Sequence, residues 1–205
     1  MDRAAALVRL NRQVLERFSA RTVAELRQAL PMRVALPHLE PFLVRNLEKE
    51  IRKDAMVVAC ARDALAAGAP PAPDAARALL ARARQVDREF FASVARLPVR
   101  FDVPYARIEP LRLRRIQLGL TLAGRILGAW HAGRRVCDVM PRTELAREVR
   151  GILALYCEET AALSEGVSLP ALLVPLRAGL AGKLLELMRG SAEHIARDIA
   201  AQKPR

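Results

Sequence analysis

Apolar side chains recur every three or four residues through most of this chain, and that period constrains its fold more than any other feature. Leu79, Ala83, Val86, Phe90, Val94 and Leu97 form the cleanest series. Residues so spaced line one side of an α-helix, whereas a strand requires strict alternation. Leu7, Leu10, Val14 and Phe18 repeat the pattern near the start, and Leu43, Leu47, Ile51, Ala55, Val58 and Leu65 repeat it in a second long segment. Aromatic residues are only 4% of the chain. Strands therefore gain little from composition, while the abundant Ala, Leu and Arg favour helix.

Punctuation residues divide the pattern into elements. Thr22 and Glu25 read as a capping box that restarts the first helix and carries it to about Leu30. Pro31 and Pro37 bound a connector, Pro41 opens the second helix and Gly68 ends it. The stretch Gly68-Ala-Pro-Pro-Ala-Pro73 is the clearest linker. It suggests a single helical domain over 1–205, with residues 1–68 as an N-terminal subunit joined through 68–73 to 74–205. Asp74 is placed to cap a third helix of about 74–96. Residues 97–110 contain three prolines and an alternating Val99, Phe101, Val103, Tyr105 series, which reads as an extended crossover. Pro110 then opens a fourth helix of about 110–134, where Gly124 and Gly128 would allow close helix contact. Further helices span about 141–164 and 170–200, the last kinked near Pro175. The expected fold is all-α: an irregular bundle of six or seven helices with one extended proline-containing crossover at about 97–110.

Motifs that carry chemistry are missing. His38, His131 and His194 share no helical face with a second imidazole, so no metal site is expected. His38-Leu-Glu40 lacks the cysteine pair that would make it a zinc-deaminase motif. Glu158 and Glu159 are adjacent, diverge by about 100° on a helix, and read as a solvated face. Cys137 follows Arg134 and Arg135 but is expected to be a buried, inert thiol. No phosphate-binding loop, dinucleotide fingerprint or nucleophile elbow is present. The chain points away from an enzyme, with no catalytic residue, cofactor or metal assigned.

Charge is the remaining signal. The chain carries 34 Lys and Arg against 22 Asp and Glu, a formal net charge of +12. Its Ala-, Arg- and Pro-rich usage is the bacterial-like composition that GC-rich coding produces. Residues 98–140 hold eight cations and three acids. Arg107, Arg112, Arg114 and Arg115 lie at one end of that stretch and Arg134 and Arg135 at the other, roughly 30 Å away along a helix. These six arginines are the expected docking face for an acidic protein partner, on a non-enzymatic helical adaptor. A nucleic-acid backbone is the runner-up partner and an anionic membrane surface the third, while the Leu-rich 169–188 segment could line an apolar ligand pocket. The face Arg45, Glu48, Lys49, Arg52 and Lys53 reads as solvated. Three cysteines without a CxxC pair, no signal-peptide core and no transmembrane segment suggest a cytoplasmic protein.

Overall fold

A computed structural model describes residues 2–29, 36–94, 100–101, 103–165, 167–168 and 174–201. Among them the protein is all-helical apart from one minimal strand pair. Seven helices run in chain order: α1 (Arg3–Ala29), α2 (Leu36–Ala66), α3 (Ala75–Val94), α4 (Tyr105–His131), the single turn α5 (Val136–Val139), α6 (Arg142–Glu165) and α7 (Val174–Ala201). Two-residue strands β1 (Arg100–Phe101) and β2 (Val167–Ser168) pair antiparallel, Arg100 opposite Ser168 and Phe101 opposite Val167.

Several boundaries differ from the sequence expectation, each for an identifiable reason. Helix α1 does not restart at Thr22. That side chain is 4% exposed, and its hydroxyl donates to the Phe18 carbonyl at 2.9 Å and lies 3.2 Å from Ser191 Oγ on α7. It binds the preceding turn instead of capping a new one. The cap of α1 is Asp2, whose Oδ1 accepts from the backbone N–H of Ala4 at 2.9 Å and of Ala5 at 3.3 Å. Helix α2 begins at Leu36, so Pro37 lies in its first turn and Pro41 further inside it. Helix α4 begins at Tyr105, which makes the last six residues of the segment 97–110 helical and leaves Pro110 inside the helix. Residues 95–99 and 102, the body of that crossover, lie outside the described residues. Helix α7 begins at Val174, so Pro175, where a kink was expected, lies in its first turn.

Apolar burial forms two clusters. The first joins Ala4 and Leu7 of α1, Val57, Val58 and Ala61 of α2, Ala76 and Leu79 of α3, and Ile116, Leu120, Ala123, Ile126 and Leu127 of α4. The second joins Leu15 and Phe18 of α1, Ile51 of α2, Leu153, Tyr156 and Cys157 of α6, and Met188, Ala192 and Ile195 of α7. Helices on both sides of the 68–73 linker thus share the first cluster.

The glycines of α4 do not act as a close-packing motif at Gly124 and Gly128, where an added methyl group would meet nothing within 4 Å. Close approach occurs at Gly119, where a Cβ would lie 3.3 Å from Val57 Cγ1. Gly133 has left-handed backbone, φ +67°, and follows the helix end. Replacing Gly124 and Gly128 together with alanine should therefore raise stability by about 1.5–2 kcal/mol through helix propensity alone. A thermal melt about 5 °C above that of the parent would show it. A lower melting temperature would mean that the two positions face a neighbour after all.

Candidate functional site

Where the two apolar clusters meet, the bundle encloses a network of charges. Helix α2 contributes Lys49, Glu50 and Lys53, α3 contributes Asp87, α4 contributes Arg112 and Arg115, and α6 contributes Glu159. All seven are buried, Arg112 and Asp87 completely. Asp54, with its side chain 25% exposed, stands at the edge.

Arg112 is clamped between two carboxylates. Its Nη1 pairs with Asp87 Oδ2, and its Nε donates to Glu159 Oε1 at 2.7 Å. Arg115 Nη2 donates to Glu50 Oε2 at 2.6 Å and lies 3.1 Å from Glu159 Oε2, while its Nη1 is 3.9 Å from Asp54 Oδ1. Lys53 Nζ reaches Asp87 Oδ1 at 2.7 Å and Glu50 Oε1 at 3.1 Å. Lys49 Nζ is 3.3 Å from Glu50 Oε1 and 3.5 Å from Asp87 Oδ1, and sits 4.8 Å above the Phe90 ring. The guanidinium of Arg115 lies 5.5 Å from the Tyr156 ring centre, and the Tyr156 hydroxyl accepts from Asn46 Nδ2 at 2.9 Å.

Burial alone would neutralise these groups, because charge is poorly solvated inside a protein. The mutual pairing overrides it for the acids. Burial pushes the Glu50 carboxyl up, but Lys53, Arg115 and Lys49 together hold it well below the ordinary carboxylate range. Burial likewise opposes the charge on Asp87 and Glu159, and is outweighed by Lys53 and Lys49 at the first and by Arg115 and Arg112 at the second. Two groups go the other way. Burial, with Lys53 as a like-charged neighbour, lowers Lys49. Burial raises Asp54 to about 6 against the pull of Arg115.

The six arginines expected to form one docking face therefore separate. Arg112 and Arg115 are interior, 0% and 6% exposed, and their guanidinium groups are already neutralised by Asp87, Glu159 and Glu50. They are not available to a partner. Arg107 and Arg114 are exposed on the outer stripe of α4, seven residues apart. Arg134 and Arg135 are exposed beyond its C-terminal end, Arg135 paired with Asp138 at 2.9 Å.

Other expectations fail as well, those at Lys49, Lys53 and Glu159 for the same reason, that charge was assumed to face water. Lys49 and Lys53 are core residues, although Glu48 and Arg52 beside them are exposed. Glu159 is buried, whereas Glu158 lies 3.7 Å from Arg189 at the surface. Cys137, expected inside, is exposed; the buried thiol is Cys157, which burial pushes up to about 12. His131 is exposed, and His194 lies 3.5 Å from Asp198. His38's surroundings and the side chains of 174–181 lie outside the described residues, as does most of the 169–188 segment.

A cavity of about 100 Å³ adjoins the network, with Lys53, Asp54, Arg112 and Arg115 at one end and apolar side chains of α1 to α4 and α6 elsewhere. Among the described residues no group of three or more His, Cys, Asp or Glu is placed to hold a metal ion, since the buried carboxylates face cations. No described helix is long and apolar enough to cross a membrane. Comparison with protein-family models, curated proteins and solved structures finds no match for this chain.

Proposed function

We propose that the protein is a non-enzymatic interaction protein that docks an acidic partner protein on the outer face of α3 and the first half of α4. One observation carries this reading. Four cations and four carboxylates, Asp54 included, cancel inside the bundle, so the net charge of +12 belongs to the rest of the chain. A surface with that excess attracts acidic surfaces at long range and speeds their encounter.

The arginines of the face come from two adjacent helices. Arg77, Arg84 and Arg88 are exposed at helical spacing on α3, and Arg107 and Arg114 are exposed on α4. Arg84 pairs with Glu109 and so ties the two rows together. The Arg134 and Arg135 pair lies at the far end of α4 and serves as a secondary contact. Three unpaired cysteines support a reducing compartment such as the cytoplasm.

Replacing Arg88, Arg107 and Arg114 with Glu should remove the interaction without touching the core. In pull-downs from nuclease-treated lysate, the parent should recover one acidic protein in stoichiometric amount at low salt, and the triple variant none. Circular-dichroism melts of the two should agree, because exposed substitutions shift stability by only about 0.5 kcal/mol. Equal recovery by both proteins would remove this face from consideration. Recovery of nucleic acid alone before nuclease treatment would favour the nucleic-acid backbone as partner.

A further inference from the structure

Helix α4 carries a row of residues from the docking face to the Arg134 and Arg135 pair. Arg107, Arg114, Thr121 and Gly128 recur every seven residues, a spacing that returns to nearly the same side of a helix and drifts by only about 20° each time. The row has two exposed arginines at one end and a hydroxyl and a bare glycine in the middle, with two more exposed arginines just past its far end. Acids along the way are already paired. Glu109 is the single carboxylate in the 27 residues of α4, and Arg84 holds it. Glu144 and Asp138 are paired as well, with Arg125 and Arg135. Among the described residues Arg134 reaches only a carbonyl, that of Asp138, at 3.3 Å.

The two cationic ends are far apart. Helix α4 is about 40 Å long, and Arg114 and Arg134 are separated by about 30 Å along it. The outer side of one helix is a narrow convex ridge, which a rounded protein surface touches over only part of that length. An extended chain can follow all of it. At about 3.4 Å per residue, about nine residues reach from Arg114 to Arg134 and about twelve from Arg107. Contacts at both ends of one chain reinforce each other, because the second forms at the effective concentration set by the first.

We propose that the acidic partner engages α4 through a linear acidic segment of about nine to twelve extended residues, laid from Arg107 and Arg114 to Arg134 and Arg135. The inference rests on the docking face proposed above and adds to it the form of the partner. A single-stranded nucleic acid has similar charge and reach, but its bases bind by stacking on aromatic side chains. The two aromatic residues of α4, Tyr105 and Trp130, are half-buried, Trp130 against the first apolar cluster. An acidic peptide needs no such platform.

Fluorescence-anisotropy titration of the intact protein at low salt, with end-capped oligoglutamate peptides of about 6, 9, 12 and 18 residues, tests this. Affinity should rise at least about tenfold from the shortest peptide to the third, as both ends come within reach, and less than about threefold from the third to the longest. Arg134→Gln combined with Arg135→Gln should bring the third peptide down to the affinity of the shortest, whose own binding should stay nearly unchanged. Arg134→Gln alone, which spares the Arg135 contact with Asp138, should weaken the third peptide by about threefold and decides the matter if the pair disturbs α5. An equal gain with every added residue, or a third peptide indifferent to both variants, would overturn the spanning segment. So would tighter binding of an oligothymidylate of about 12 nucleotides than of the peptide of equal length. Replacing Arg88, Arg107 and Arg114 with Glu separates the two claims. Loss of all peptide binding there, with no length step in the parent, would remove the span and keep the docking face, whereas unchanged binding of every peptide would remove both.

Discussion

Replacing Arg112 with methionine should destabilise the protein by about 3–5 kcal/mol, whereas the same change at Arg114, two residues along the same helix, should cost no more than about 0.5 kcal/mol. The contrast follows from surroundings alone. Arg112 is wholly buried between Asp87 and Glu159, and methionine would leave both carboxylates in the interior with a cation removed. An uncompensated buried charge is far worse than the loss of one attractive pair. Arg114 faces water and has nothing comparable to lose. Urea unfolding would measure both, and the thermal midpoint of the Arg112 variant should fall by about 10 °C. Similar values for the two variants would mean that Arg112 is solvated.

Replacing Asp54 with asparagine should alter how stability depends on pH. In the unfolded chain an aspartate loses its proton near 3.9, but the folded Asp54 holds its proton to about 6. Between those values the folded state binds more protons, so stability falls as pH rises through that window. The accumulated loss is about 3 kcal/mol at neutral pH. Asparagine has no proton to lose. The variant should therefore gain on the parent by about that amount between pH 4 and pH 7, in urea unfolding at the two values. Glu50, Asp87 and Glu159 act in the opposite sense. Their folded values are depressed, so their stabilisation is present at neutral pH and is lost as pH falls below about 4. A difference between variant and parent that stays constant with pH would remove Asp54 from this role.

Much of the bundle was legible because apolar periodicity needs no partner to be read. The α3 series Leu79, Ala83, Val86 and Phe90 is buried as its spacing implies. The interior charges were misread because charge was taken as a sign of solvent without regard to phase. On α4 the buried stripe runs Ile108, Arg112, Arg115, Ile116, Leu120, Ala123 and Leu127, so both arginines fall in step with the apolar residues. That phase is visible in the sequence and outranks residue type. Lys49 and Lys53 gave a second signal. Two like charges four residues apart repel on an exposed face, yet here both have acids within reach, Glu50 beside them and Asp87 on another helix. What the sequence could not supply was the pairing across helices. Glu50 with Arg115 and Asp87 with Arg112 span 65 and 25 residues, and only packing brings them together.

The interior network can be tested most directly by a double-mutant cycle on Arg112 and Glu159, using Arg112→Met, Glu159→Leu and the pair combined. Each single change leaves its former partner in the core with one counter-charge fewer, Glu159 then resting on Arg115 and Arg112 on Asp87, while the double change removes opposite charges together. The double variant should be more stable than the sum of the singles implies, by about 2–3 kcal/mol. Additivity within about 0.5 kcal/mol would show that the two side chains do not meet inside the bundle, and the assignment of the whole positive excess to the surface would fall with it.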